Sequence, residues 1–215
     1  MTSRTSEFFH RYAVDFDAIY GNNNRGFERV INLLFRRAMV MRYERALEAC
    51  RPVAGSSVID IGCGPGHYSV ALASAGADRV LGLDFAPGMV ELAKRRAAAA
   101  GVSGRCSFVL GDFLTHPIPE QFDFAILTGF MDYVSDPKPV VARVLEIIRK
   151  RAVFSFPADG GLLAWQRKQR YRNRCDLFLY TEDQIQNLFS RTGASFKIKS
   201  IGRDFFVSLE PRSSA

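Results

Sequence analysis

The run Asp60-Ile-Gly62-Cys63-Gly64-Pro-Gly66 follows an apolar pair, Val58-Ile59, and leads into a helical pattern carried by Tyr68, Ala71, Leu72 and Ala75. Three glycines at alternate positions between a strand and a helix constrain this chain more than any other feature. Glycine lets the backbone turn tightly and approach a ligand closely, and the helix start beyond it offers unpaired N–H groups. A plain strand–helix turn needs no such set. The spacing also narrows the ligand. A dinucleotide fingerprint, G-x-G-x-x-G/A, requires a third small residue at position 67, and that position is His67. The GxGxG spacing therefore disfavours a nicotinamide cofactor.

Short apolar runs alternate with helical patterns on both sides of this loop. Val80 to Leu83, Ser107 to Leu110, Phe124 to Leu127 and Ala152 to Phe156 read as further strands, the last ended by Pro157. Pro87 suits the first turn of a helix after the second strand. Val141, Val144, Leu145 and Ile148 mark the apolar face of the helix before the fifth strand. Thr181 with Gln184 forms a capping box for a helix bearing Ile185, Leu188 and Phe189, closed by Gly193. Phe196 to Ile201 and Phe205 to Leu209 read as a terminal strand pair. Strands alternating with helices predict an α/β doubly wound fold, a parallel sheet covered on both faces.

The chain has 215 residues, 47% hydrophobic and 24% charged, which excludes a disordered, collagen-like or disulfide-scaffold protein and suits a single domain. Cys50, Cys63, Cys106 and Cys175 show no CxxC pair, so reduced thiols are expected, and with three histidines no zinc site. The opening MTSRTSEFFHRY lacks the apolar run of a secretory signal, and no stretch approaches the roughly 20 residues of a membrane span. A cytoplasmic location is the expectation. The formal charge of +7 favours an anionic partner: nucleic acid, lipid headgroups or a small acidic molecule.

Asp84 ends the second strand, where a carboxylate can accept both ribose hydroxyls of an adenosyl ligand. Its alternative role is N-cap of the helix that Pro87 opens. Asp112 and Phe113, in Gly111-Asp-Phe after the third strand, suit an adenine amino group and ring face, or simply a turn.

Together these residues resemble the class I S-adenosylmethionine-dependent methyltransferases over roughly residues 56–157. DIGCGPG is similar to that family's first motif, GLDFAPGMVELAKRRA to its second strand and following helix, GDF to its adenine-side motif, and FDFAILTGFMDYVSDP to its fourth strand and active-site loop. The resemblance implies a Rossmann-like sheet of seven strands, mostly parallel with a C-terminal antiparallel strand, in residues 51–215, with an N-terminal helical lid in 1–50. It implies S-adenosylmethionine as cofactor. Gly62, Gly64 and Gly66 would line its methionine moiety with Cys63 beside them, and Asp60 would support the loop. Asp84 would bind ribose; Phe85, Met89, Asp112 and Phe113 would surround the adenosyl end; Thr128 and Gly129 would lie beneath the sulfonium. Tyr20, in Tyr12 to Tyr20, would close the pocket as part of the lid, its alternative being a packed amphipathic helix.

On the acceptor side the candidates are Tyr133 and Asp132, after the fourth strand, and His10 from the lid. Asp132 has the alternative of capping the turn before Pro137, and His67 and His116 read as structural. The insertion 158–180 carries Trp165-Gln-Arg167-Lys168-Gln-Arg170-Tyr171-Arg172-Asn-Arg174, with aromatic and cationic residues interleaved. RNA binding, an arginine clamp on a small anion through Arg170, Arg172 and Arg174, and a solvated helix face all suit this run. The missing Pro-Pro-aromatic run after the fourth strand, where Thr128-Gly-Phe-Met131 stands, argues against base methylation of nucleic acid. The stretch 155–189 resembles magnesium-protoporphyrin O-methyltransferases and related small-molecule enzymes. The expected activity is O-methylation of a small or lipid-linked anionic acceptor, with an RNA methyltransferase or a catalytically silent cofactor-binding subunit as alternatives.

Overall fold

A computed structural model describes residues 39–172 and 175–212. Seven strands form one sheet: β1 (Ser57–Ile61), β2 (Arg79–Asp84), β3 (Cys106–Leu110), β4 (Phe122–Leu127), β5 (Ile148–Pro157), β6 (Ser195–Ile201) and β7 (Asp204–Glu210). Their order is β3-β2-β1-β4-β5-β7-β6. Strands β1 to β5 pair in parallel, and β7 alone runs antiparallel to its neighbours β5 and β6. The helices are α1 (39–49 among the described residues), α2 (His67–Ser74), α3 (Pro87–Ala99), α4 (Pro137–Ile147), α5 (Gly161–Tyr171) and α6 (Glu182–Ser190).

The central strands β1 and β4 are buried along their whole length, as a parallel sheet covered on both faces requires. Successive residues serve opposite layers. Ile59 and Ile61 pack with Val141 and Val144 of α4 and Phe189 of α6, whereas Val58 packs with Ala46 of α1 and Leu72 of α2. The first layer is densest at its aromatic centre, where Phe156 meets Tyr180 and Phe189 edge to face at 5.1 and 5.9 Å between ring centroids.

One element boundary departs from the sequence reading. Ile148 does not extend the apolar face of α4: it adopts φ −109°, ψ 145° and opens β5 opposite Phe122. Helix passes into strand without a loop, so β5 begins before Ala152. Arg149, Lys150 and Arg151 disguise that beginning as a charged linker, yet Arg149 and Lys150 pair with Asp123 of β4 at 3.4 and 3.3 Å.

The capping box holds as expected. Thr181 Oγ1 accepts from Gln184 N at 3.3 Å, and Thr181 N donates to Gln184 Oε1 at 2.9 Å. Thr181→Ala is expected to cost about 1 kcal/mol. That corresponds to roughly 2–4 °C in a thermal melt of a chain this size; an unchanged Tm would show the cap to be dispensable.

The strand order reverses between β1 and β4, and in such sheets ligands bind at the carboxyl ends beside that point. The glycine loop sits at the carboxyl end of β1.

Candidate active site

The loop is fastened from three sides. Buried Asp60 accepts from Ser69 N at 3.1 Å and from Ser69 Oγ at 2.6 Å, tying β1 to α2. Gly62 N and Cys63 N both donate to Leu83 O, at 2.8 and 3.1 Å, which docks the loop on the end of β2. Gly64 N donates to Asp84 Oδ2 at 2.8 Å. Gly62 and Gly66 have φ of +69° and +77°, and a Cβ at either would meet a neighbour closely: Phe130 Cδ2 at 2.7 Å and Ala93 Cβ at 2.9 Å. Gly66 thus lets α2 approach α3, while a Cβ at Gly64 would find open space.

Burial pushes the Asp60 carboxyl up to about 7, against the pull of its Ser69 hydrogen bonds. The native state therefore holds this proton more tightly than the unfolded chain does. Stability from this group is fully present below the ordinary carboxyl range and is lost as pH rises through about 7. Asp60→Asn keeps an acceptor for Ser69 and removes the titration. Its Tm relative to the wild type is expected to improve steadily from mildly acidic to neutral buffer; a constant difference would contradict the assignment.

Asp84 is buried and does not cap α3. The N-cap residue is Ala86, which makes no side-chain cap bond, while Asp84 Oδ1 accepts from Ala86 N at 2.9 Å. The carboxylate instead braces the glycine loop and the β2–α3 turn together. Burial raises its pKa, and backbone N–H groups of Ala86, Gly64 and Phe85 oppose that rise. Two carboxylate oxygens offer about four acceptor sites, so these three bonds leave about one for a ligand hydroxyl.

A cleft opens here, lined by Gly62, Leu83, Asp84, Phe85, Gly111, Asp112, Phe113 and Phe130. The structure thus brings together Gly62, Asp84, Phe85, Asp112 and Phe113 from three strand ends. Asp112 also makes the turn that the sequence left open, its Oδ1 accepting from Leu114 N at 2.9 Å. Phe130, which meets Phe113 edge to face at 6.4 Å, was not singled out from the sequence. Cys63 and Met89 lie buried behind the lining; Met89 packs with Ala86, and burial raises the Cys63 thiol well above its ordinary pKa. Thr128 Oγ1, at the end of β4, is buried without a hydrogen-bond partner, and Gly129 N donates to Ser155 Oγ at 2.8 Å. A carboxylate with spare acceptor capacity, three aromatic rings and an unmatched hydroxyl suit an adenosyl ligand with its hydroxyls, ring face and polar tail.

The acceptor side is arranged differently from the sequence expectation. The turn before α4 is capped by Asp136, whose Oδ1 accepts from Lys138 N at 3.1 Å, and not by Asp132. Asp132 lies in the 3-10 turn Met131–Tyr133, buried and ion-paired with Arg167 of α5. Tyr133 is part-buried, which pushes its phenol well above the ordinary range. The basic run is not one surface patch. Helical periodicity turns Arg167 inward with Ala164, while Leu162 and Trp165 face solvent, 76% and 58% exposed. Lys168 pairs with Asp159 at 3.0 Å, and Arg172 is exposed. His10, Tyr20, Arg174 and the Arg170 side chain lie outside the described residues. His116 packs its ring against Gly111, a structural place.

Residues 58–151 match a family described as a methyltransferase domain. A magnesium-protoporphyrin O-methyltransferase from Rhodobacter capsulatus is 32% identical over 183 residues, covering 80% of this chain and 75% of that protein. The chain belongs to the class I S-adenosylmethionine-dependent methyltransferases. A ubiquinone biosynthesis O-methyltransferase from Pseudomonas fluorescens SBW25 is 31% identical over 145 residues, 67% of this methyltransferase. The chain spans 58% of that relative's length. The crystal structure of magnesium protoporphyrin IX methyltransferase from Synechocystis PCC 6803 with bound SAH superposes with a TM-score of 0.77 at 19% identity, covering 96% of this chain and 97% of the other. That likeness speaks for the shared fold of the methyltransferase. Among the described residues no helix is long and apolar enough to cross a membrane.

Proposed function

We propose that this methyltransferase moves the methyl group of S-adenosylmethionine to an oxygen of a small or lipid-linked anionic acceptor. The observation that carries the reading is the cleft at the ends of β1, β2 and β3, where Asp84, Asp112 and Phe113 meet the glycine loop. S-adenosylmethionine would supply a methyl group on a sulfonium, whose transfer would leave a neutral thioether. Gly62, Gly64 and Gly66 cradle the methionine portion, with Cys63 and Asp60 shaping the loop. Asp84 accepts the ribose hydroxyls. Phe85, Met89, Asp112 and Phe113 hold the adenine side, and Thr128 and Gly129 stand at the sulfonium end. Tyr20 closes the pocket from the N-terminal segment.

In-line displacement depends on alignment of acceptor and methyl group, and held geometry lowers the barrier. Tyr133, His10 and Asp132 orient the acceptor, and Arg170, Arg172 and Arg174 draw its negative charge. A hydroxyl acceptor needs a base within reach, whereas a carboxylate is already ionised. Asp132 is engaged by Arg167, and Tyr133 is held as a neutral phenol. With Asp132 ion-paired and Tyr133 a neutral phenol, the arrangement supports a carboxylate, which needs neither as a base. The two relatives named as O-methyltransferases of small molecules support the same class.

Transfer of labelled methyl to a host-cell extract, fractionated into small molecules, lipids and RNA, tests this reading. Base-labile label in the small-molecule or lipid fraction is expected, as a methyl ester gives. Label confined to RNA would replace the acceptor class, and absence of transfer from a protein that binds the cofactor would leave a silent binding subunit.

A further inference from the structure

Arg167 stands at the centre of a buried chain of charges that joins four separate segments. Its Nη1 donates to Asp204 Oδ1 at 2.7 Å, and its Nη2 donates to Asp132 Oδ2. The other oxygen of Asp204 accepts from Arg42 Nη1 at 3.2 Å. Asp204 opens β7 opposite Pro157, the last residue of β5, so it sits at the end of the sheet from which the segment bearing α5 departs. Arg42 comes from α1 and lies over the active-site loop, since a Cβ at Gly129 would stand 3.9 Å from its Nη1. All four side chains are largely withdrawn from solvent, with 16% or less exposure.

Among the described side chains of α5, Ala164 is buried, while the large apolar residues Leu162 and Trp165 face outward. The Arg167 fork ties the middle of the helix both to the start of β7 and to the turn carrying Asp132 and Tyr133. We propose that Arg167, seconded by Arg42, is a positioning residue for methyl transfer, holding α5 and the turn Met131–Tyr133 in one register so that the acceptor meets the methyl group in line. The kinetic part rests on the acceptor site proposed above; the structural part stands without it.

Arg167→Met keeps the length of the stem and removes the fork. In hydrogen exchange, residues 161–172 and 128–136 are expected to exchange faster by about tenfold or more, while the strands β1, β2 and β4 keep wild-type protection. S-adenosylhomocysteine affinity is expected to stay within about twofold, and the acceptor KM or kcat to worsen by about ten- to a hundredfold. Loss of the fork also leaves two buried carboxylates facing each other with Arg42 as their remaining cation. The ionisable groups around Asp132 are Arg42 from α1, Arg167 from α5, Asp204 from β7, Tyr133 from its own turn, and Tyr180. Without Arg167, Asp132 takes up a proton more readily, so the loosening in Arg167→Met shrinks as pH falls. A stem that merely filled space would give a loosening independent of pH. Arg167→Lys, which keeps one charge and loses the fork, and Asp204→Asn are expected to show the same local pattern more weakly, and they carry the test if the Met variant does not fold. Wild-type exchange at 161–172, an equal rise across the whole chain, or a pH-independent difference would overturn the proposal. A wild type that transfers no methyl group would overturn the acceptor reading instead, leaving the exchange result to stand.

Discussion

Asp84→Ala is expected to weaken S-adenosylhomocysteine binding by about ten- to a hundredfold. Each hydrogen bond to a charged group contributes about 1.5–3 kcal/mol. Loss of the ribose contact at the remaining acceptor site therefore removes about 1.5–3 kcal/mol, and every 1.4 kcal/mol is a factor of about ten. The same carboxylate fixes Gly64 N and Ala86 N, so the variant also loosens the loop that receives the methionine portion. Calorimetry reads the affinity, and a cooperative melt of the variant shows whether the fold persists. A folded Asp84→Ala protein that binds within about threefold of the wild type would remove Asp84 from the cofactor site.

The second large effect is on stability. Gly66 precedes α2 at φ +77°, and a Cβ there would stand 2.9 Å from Ala93 Cβ and 3.2 Å from Ala93 Cα, with Phe108 Cε1 at 3.3 Å. The nearest atoms belong to the short Ala93 side chain and to backbone, so no flexible side chain can move aside. Relief requires α2 and α3 to separate, and the left-handed conformation adds its own strain. Gly66→Ala is expected to cost about 3 kcal/mol. For a chain of this length that lowers Tm by roughly 6–12 °C. Gly64→Ala has open space at the Cβ and is the internal comparison: its φ of +51° strains the backbone without a clash, so its loss should be smaller. Equal losses would show that strain in the loop, and not helix approach, governs the site.

The fold was legible wherever burial is continuous along the chain. β1 and β4 are central strands whose residues are all buried, and the apolar runs displayed them directly. The glycine loop and the Thr181–Gln184 box were legible because their partners lie within a few residues. The features that escaped depend on distant partners. Arg42 and Arg167 sit in arginine-rich stretches that look solvated until β7 brings Asp204 between them. Phe130 is one apolar residue in an apolar loop, and its place in the cleft follows from the position of Phe113 on another strand end. The start of β5 was hidden because Arg149 and Lys150 resemble a linker until Asp123 of β4 is set beside them. Asp132 was noticed for its place after β4, but its ion pair with Arg167 arises only from the packing of α5.

The position of these charges changes the reading of the overall +7. Arg167 and Arg42 neutralise buried carboxylates and so contribute nothing to an external field. Among the described side chains of the insertion, the cation beyond Lys168 is Arg172, which is exposed. The proposed arginine clamp on an anionic acceptor therefore narrows to the end of α5 and does not extend along its whole length.

The cleft at the ends of β1, β2 and β3 is the proposed seat of the adenosyl cofactor. Isothermal titration of the wild-type protein with S-adenosylhomocysteine tests it most directly. The expected result is one saturable site per chain, with binding about ten- to a hundredfold weaker in Asp84→Ala. A folded wild-type protein that shows no saturable heat would contradict it.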